Sequence, residues 1–363
     1  MKITLIAGAR PNFMKIAPVI DAIEHAKIVG KDIEYRLVHT GQHYDEKMSK
    51  TFFEELQIPA PQINLGCGGG TQAEQTAAIM ISFERELLQH PADLVIVVGD
   101  VTSTMACAIV AQKLNTKVAH IEGGIRSGDW AMPEEINRLV TDSITNYFFT
   151  TSDIANSNLQ KAGVQNERII FVGNTMIDTL LKQMPSLRKP DFYDAIFLKE
   201  NAYFVLTLHR PSNVDDESKL EELLNQIMLH SNNLPVIFPI HPRTKKRFES
   251  LIFNYQNLHE VEPMSYLEFN YLVKHSKAVI TDSGGITEET TIMGIPCMTL
   301  RNSTERPETC IIGTNELLGT DPRSIQPAME RLFSGEWKKG SIPALWDGKA
   351  ATRIVDFLLK EIN

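Results

Sequence analysis

The chain has 363 residues, 43% of them hydrophobic and 22% charged, which is length for two domains and apolar content for large cores. A formal net charge of −9 argues against nucleic acid or an anionic membrane surface as a partner, since both attract basic surfaces. Cys67, Cys107, Cys297 and Cys310 show no CxxC spacing, so reduced thiols in a cytoplasmic protein are expected and a zinc site is not.

Short β-branched runs alternate with helical patterns along the first half: KITLIAG from Lys2, YRLVHT from Tyr35, DLVIVVGD from Asp93, KVAHIEGG from Lys117 and RIIFVGN from Arg168. This is the rhythm of a parallel sheet. None of the runs approaches the roughly 18 apolar residues of a membrane span, and Ile3–Gly8 is too short for a signal-peptide core. The GCGGG from Gly66 follows no long strand and reads as a flexible loop. After a polar stretch from about Gln183 to Asn201 the rhythm restarts, with YFVLTLHR from Tyr203, PVIFPIHPR from Pro235, KAVITDSGG from Lys277 and PCMTLR from Pro296. Two α/β domains follow, residues 1–182 and 183–349, and the periodic stretch 350–363 reads as a closing helix.

The run Ala278–Glu289, AVITDSGGITEE, reads as an anion seat. An apolar strand ends in Asp282-Ser283-Gly284-Gly285 and passes directly into a helix, whose free N–H groups and positive dipole end face the turn. A diphosphate fits there, and Glu288 or Glu289, one turn into the helix, suits a ribose diol. The plainer alternative is a Ser N-cap, a tight turn and acids favouring the first helical turn.

Nearly every predicted strand ends on its carboxyl side in something reactive: Arg10, Gln42 with His43, Asp100, Glu122, His209 with Arg210, His241 with Arg243, Ser283 and Arg301. Ligands of open parallel sheets bind outside those ends. Each residue has a structural alternative, such as Asp100 or the Gln42-His43 pair capping a helix. Asp100, Glu122 and the Glu134-Glu135 pair supply carboxylates, His209 a group titrating near neutrality, and Arg10, Lys15, Arg210 and Arg306 cations for phosphate. No GxxxxGK[ST] loop, no GxGxxG after a strand and no Ser-His-Asp elbow is present. Carboxylates beside a nucleotide diphosphate seat suggest proton abstraction from a sugar, coupled to departure of the diphosphate.

In GARPNFMKIAP from Gly8, HTGQHYD from His39, VGDVTST from Val98, HIEGGIRSGDWAMPEEINR from His120, GNTMID from Gly173, TLHRPSNVD from Thr207, TDSGGITEE and RNSTERPE from Arg301, the chain resembles the non-hydrolysing UDP-N-acetylglucosamine 2-epimerases over almost its whole length. The resemblance implies two Rossmann-like domains in a glycosyltransferase-B arrangement with an interdomain active-site cleft, the closing helix returning to the first domain. It implies that Arg10, Ser283, Gly284, Gly285 and Arg306 hold the diphosphate, that Glu289 takes the ribose, that Phe269 lies against the uracil, and that Met264 stands where many relatives carry Gln. Lys15, Asp100, Glu122, Glu134 and His209 match the family's sugar-facing catalytic positions. Gln42, His43, Arg210 and His241 border a second UDP-GlcNAc site of allosteric character in bacterial members. Asn12 replaces an acid common after RP, and Pro211-Ser212 follows His209-Arg210 where relatives carry another Arg or Glu.

The implied reaction is reversible C2 epimerisation of UDP-GlcNAc to UDP-ManNAc, through elimination of UDP to 2-acetamidoglucal and re-addition. No cofactor or metal is expected. The UDP-sugar is the expected partner, as substrate and as activator, in a homodimer. Alternatives are a UDP-2,3-diacetamido-uronic acid as substrate, a hydrolysing 2-epimerase releasing ManNAc and UDP, and, more remotely, a nucleotide-sugar-binding regulator or a glycosyltransferase.

Overall fold

The computed structural model of the chain describes residues 1–42, 53, 55–240 and 255–361, with Arg10 described by its backbone alone. The chain divides into two compact units, Met1–Met184 with Ala344–Asn363, and Pro185–Pro343.

In the first unit, strands β1 (Lys2–Ala7), β2 (Glu34–His39), β3 (Ile63–Asn64), β4 (Leu94–Val98), β5 (Lys117–Ile121), β6 (Tyr147–Thr150) and β7 (Ile169–Phe171) form one sheet in the order β3-β2-β1-β4-β5-β6-β7. Every pairing is parallel. β4 is LVIVV with all five side chains buried, the continuous apolar run of a strand covered by helices on both faces. In the second unit, β8 (Phe204–Thr207), β9 (Val236–Pro239), β10 (Leu258–Val261), β11 (Ala278–Thr281), β12 (Cys297–Thr299) and β13 (Asn315–Leu317) run in the order β10-β9-β8-β11-β12-β13, also parallel.

Both orders reverse once. In the first unit the chain works outward from β1 in one direction and restarts at β4 on the other side. In the second it does the same from β8 and restarts at β11. At such a reversal the two flanking helices leave the sheet on opposite faces, opening a crevice at the carboxyl ends of the central strands. The crevices therefore lie after Ala7 and Val98, and after Thr207 and Thr281.

The segment after Gly66 is a loop between β3 and the helix Gln72–Gln89. It packs closely: a Cβ on Gly68 would fall 2.6 Å from the carbonyl oxygen of Gly41. The closing helix Ala350–Glu361 begins on Asp178, whose carboxylate accepts hydrogen bonds from the backbone N–H of Ala350 and Ala351 at 3.1 and 2.8 Å. Just upstream, Trp346 donates its indole N–H to the Thr151 carbonyl at 2.9 Å. Burial lifts the Asp178 carboxyl to about 6 against the pull of those two amides. Asp178→Ala would leave two buried helix N–H groups without an acceptor, and is expected to lower the unfolding free energy by about 1–3 kcal/mol. Urea denaturation reads this directly, and an unchanged midpoint would show that the cap does not matter.

Candidate active site

At the crevice of the first unit, Asn12 ties the turn after β1 to the end of β4. Its Oδ1 accepts from the backbone N–H of Gly8 and Ala9, both at 3.0 Å, and its Nδ2 donates to the Val98 carbonyl at 3.2 Å. A carboxylate could make the first two bonds and not the third, which is a physical reason for an amide at this position.

One turn further along the helix Arg10–Ile28, Lys15 reaches across to Glu122, Nζ to Oε2 2.7 Å, with both side chains buried. Glu122 follows β5 with φ +71°, a left-handed conformation that costs a non-glycine residue about 1–3 kcal/mol and gathers at functional sites. Its carboxylate comes close to the turn carrying Asp100: a Cβ on Gly99 would fall 3.4 Å from Lys15 Nζ and 3.7 Å from Glu122 Oε2.

Asp100 does not cap the helix Thr102–Lys113, whose N-cap position is held by Val101. Instead its Oδ2 accepts from Arg138, at 2.5 Å from Nη2 and 3.1 Å from Nε, while Arg138 Nη1 meets Glu135 Oε2 at 2.6 Å. Glu135 also receives the backbone N–H groups of Ser127 and Gly128 and the Ser127 hydroxyl. Burial pushes its pKa up, but these donors outweigh it and hold the carboxyl below its ordinary range. Glu134 is half-exposed and makes no ion pair among the described residues. The Glu134-Glu135 pair thus divides: Glu135 holds the loop and Arg138, and Glu134 is left for other work.

Beneath this constellation His120 is fully buried. Its Nε2 lies 2.8 Å from the Gly99 carbonyl and its Nδ1 2.7 Å from Asp142 Oδ1. Asp142 Oδ2 accepts from Gly124 N at 3.0 Å and from Arg126 Nη1 at 2.6 Å. One histidine and one aspartate therefore join the Gly99-Asp100 turn to the Glu122-Gly124 turn.

Gln42 has a structural task. Its Oε1 accepts from Ser103 N at 3.2 Å and Ser103 Oγ at 2.8 Å, at the start of the helix Thr102–Lys113. That is a capping role, served to a helix distant in sequence. His43, His241 and the side chain of Arg10 lie outside the described residues.

At the crevice of the second unit the organising residue is Asp282, which is fully buried. It accepts from the backbone N–H of His209 at 3.1 Å, from Arg210 N at 2.9 Å and from Asn213 Nδ2 at 3.1 Å, while His209 Nδ1 sits 2.7 Å from its Oδ1. Burial raises its pKa, and these contacts, His209 foremost, hold it below the carboxylate range. The His209 side chain is 60% exposed, with Nε2 as the ring nitrogen turned away from Asp282. Arg210 is drawn back, its Nε donating to the Asp282 carbonyl at 3.0 Å.

Ser283 occupies the N-cap position of the helix Gly284–Met293 but makes no side-chain capping bond, so the hydroxyl is not committed to the role the plainer alternative gave it. Glu288 and Arg306 form a buried pair, Oε1 to Nε 2.8 Å. Glu289 is buried beside Asn270, whose Nδ2 is 3.5 Å away, and burial raises its carboxyl to about 7. Met264 and Phe269, following β10, are half-buried and pack against the hydrophobic cluster of Tyr203, Val205, Leu272 and Val279.

The profile of the UDP-N-acetylglucosamine 2-epimerase family matches residues 27–359. The chain belongs to that family. The UDP-N-acetylglucosamine 2-epimerase of Methanocaldococcus jannaschii is 40% identical over 372 residues, spanning 99% of each chain. The UDP-2,3-diacetamido-2,3-dideoxy-D-glucuronate 2-epimerase of Pseudomonas aeruginosa is 36% identical over 365 residues, 99% of this chain and 100% of its own. The crystal structure of the Methanocaldococcus jannaschii UDP-GlcNAc 2-epimerase in complex with UDP-GlcNAc and UDP matches with a TM-score of 0.87, covering 99% of both chains.

For this 2-epimerase family member, the structure collects Lys15, Asp100 and Glu122 at one crevice, and His209, Ser283 and Gly284 at the other. Asp282, Arg138 and Asp142, which position them, were not singled out from the sequence. Asp282 and Arg138 stand inside quoted motifs, where their place was the only signal. Asp142, 22 residues from His120, has no periodic relation to it and left none.

Glu289 yields a pH prediction. Its folded pKa lies above the unfolded value, so the neutral form favours the fold. That contribution is complete below the ordinary carboxyl value of 4.5 and is lost as pH rises through about 7. Glu289→Gln is therefore expected to gain stability relative to the unaltered protein between pH 5 and pH 8, measured by denaturation in the absence of ligand. Parallel stability curves across that range would contradict a desolvated Glu289.

Proposed function

We propose that this chain interconverts UDP-GlcNAc and UDP-ManNAc by eliminating UDP and adding it back. The observation that carries the reading is the division of chemistry between the two crevices. One gathers Asp100 and Glu122, with Glu134 on the neighbouring helix Pro133–Ile144. The other presents a helix N-terminus with Ser283 uncommitted and a histidine oriented by a buried aspartate.

The C2–H of the intact sugar is not adjacent to a carbonyl and is not acidic enough for a side-chain base. As the C1–O bond lengthens, positive character at C1 acidifies C2–H. The electron pair of the C1–O bond leaves with UDP, and the C2–H pair becomes the C1–C2 double bond of 2-acetamidoglucal. The helix end and cations at the diphosphate stabilise the charge growing on the leaving oxygen. A carboxylate takes the proton. Re-addition of UDP to C1, with protonation of C2 from the opposite face, gives the epimer, so the reaction needs two acid/base groups or one group and an ordered water. Asp100, Glu122 and Glu134 meet that need. The ion pairs to Arg138 and Lys15 fix the rotamers of Asp100 and Glu122, and His209, with Nδ1 held on Asp282, offers Nε2 to the leaving group. Gly285, Arg10 and Arg306 would complete the diphosphate contacts, Glu289 the ribose contact, and Phe269 with Met264 the uracil wall.

The Pseudomonas aeruginosa relative favours a second substrate, a UDP-2,3-diacetamido-uronic acid undergoing the same elimination and re-addition. Proton NMR time courses in deuterated water, run with each UDP-sugar without added NAD or metal, decide between them. The expected outcome is conversion of UDP-GlcNAc to its C2 epimer with deuterium at C2 and no net UDP. Retained hydrogen would sink elimination, and accumulating UDP with free ManNAc would mean a hydrolysing enzyme. If a second UDP-GlcNAc molecule activates the enzyme near Gln42, His43, Arg210 and His241, a course started from UDP-ManNAc lags until UDP-GlcNAc is added. The unaltered protein is the right material, since Gln42→Ala would also disturb Ser103. We place this activity in the cytoplasm, in a homodimer.

Binding and chemistry separate by substitution. Ser283→Ala is expected to weaken UDP binding by about 0.5–1.5 kcal/mol. Asp100→Asn and Glu122→Gln should hold UDP nearly as well and turn over roughly 10²–10⁴ times more slowly. Calorimetry and kcat on the same preparations test the roles; the opposite pattern would reverse them.

A further inference from the structure

The diphosphate seat of the second unit holds a carboxylate of the chain's own. A Cβ built on Gly284 would fall 2.4 Å from Glu305 Oε1 and 3.4 Å from Arg301 Nη1. The bare backbone that suggested close approach of a ligand is thus approached by Glu305. The other oxygen, Oε2, accepts from Arg301 Nη2 at 2.6 Å, with side chains 12% and 4% exposed for Glu305 and Arg301. Arg301 Nη1 is buried and has no hydrogen-bond partner. A guanidinium nitrogen in that condition loses its hydration with nothing in return, and this one lies beside the first residue of the helix Gly284–Met293.

An anion at a helix N-terminus beside a guanidinium has the same surroundings whether it is a carboxylate or a phosphate. We propose that Arg301 is a diphosphate-binding residue and that Glu305 is a resident anion, which the ligand's phosphate displaces from Arg301 and from the helix end. This rests on the reading that the seat takes the diphosphate of a UDP-sugar. Burial raises the Glu305 pKa, but Arg301 and then Arg306 outweigh it and bring the carboxyl to about 2, so Glu305 is an anion throughout the working pH range. Two anions cannot share the space over the Gly284 backbone, which Glu305 Oε1 already fills, and like charges in a buried place repel strongly. Displacement frees Nη2 to join Nη1 on phosphate as a fork, the arrangement in which Arg binds phosphate best. Without ligand, Glu305 prevents Arg301 from standing as an uncompensated buried charge.

The two partners give effects of opposite sign. Glu305→Gln removes the competing charge while keeping the shape, so UDP should bind the full chain about three- to tenfold more tightly, because the seat is open for a larger fraction of the time. Arg301→Met should weaken UDP by about 10- to 100-fold, and Arg301→Lys should recover part of that. Uridine, lacking the diphosphate, should bind all variants equally. Calorimetry with UDP and uridine reads each value, and thermal unfolding identifies any variant that fails to fold; if Arg301→Met does, Arg301→Lys and Glu305→Gln carry the test. Unchanged or weaker UDP binding by Glu305→Gln would overturn the displacement, because a merely supporting Glu305 predicts that result. Unchanged binding by the Arg301 variants would overturn the contact. Wild-type protein binding UDP no better than uridine would overturn the diphosphate seat itself, and the proposed reaction with it.

Discussion

In a parallel sheet every strand delivers its carboxyl end to the same edge, and the helices that follow present their N-termini there. Where the strand order reverses, two of those helices diverge and leave backbone N–H groups and side chains pointing at open space. Both sheets of this chain reverse once, between β1 and β4 and between β8 and β11, and the candidate site residues stand at these two reversals. Asn12, Gly99 and Asp100 belong to one, and His209, Asp282 and Ser283 to the other. The remainder of each unit holds those strand ends still: β4 is buried along its whole length, and Asp178 anchors the helix that closes the first unit.

The second theme is charge held out of water. Lys15 with Glu122, Arg138 between Asp100 and Glu135, Arg126 with Asp142, Arg306 with Glu288, and Arg301 with Glu305 are all wholly or largely buried pairs. Such pairs add little to net stability, because desolvation offsets their attraction, yet breaking one exposes the whole penalty. Their value here is geometric. Asp100 and Glu122 follow different strands and are fixed by cations from different helices, which gives the two carboxylates defined positions without their being bonded to each other. His209 is fixed in a comparable way, its Nδ1 2.7 Å from the buried Asp282 Oδ1.

Much of this was legible along the chain. The runs that became β1, β4, β5, β8 and β11 announce themselves by β-branched, doubly buried sequence, and the polar residue after each could be read as a strand-end group. Short edge strands were harder. Ile63–Asn64 and Asn315–Leu317 are two and three residues long, too brief to show a period, and Leu258–Val261 includes His259 and Glu260. Within the acidic doublets the residues by themselves supplied two candidates each, and the family resemblance chose Glu134 and Glu289 without a physical reason for either. Only folding shows that Glu135 is spent on Ser127, Gly128 and Arg138 while Glu134 is not, and that Glu288 is paired with Arg306 while Glu289 is desolvated.

The sequence by itself determined the α/β class, the two-domain count, the family and the location of the reactive residues at strand ends, because hydrophobic periodicity and short motifs are local properties of the chain. Tertiary structure alone decided which partner each charge has, because Asp100 with Arg138, His120 with Asp142, and Gly284 with Glu305 are contacts between segments whose spacing follows no period. It also decided what the glycine at the helix start makes room for. Read as a motif, Gly284 is a place for phosphate; folded, it is the place where Glu305 lies, and the physical reason is that Arg301, from the next strand end, holds the Glu305 carboxylate there.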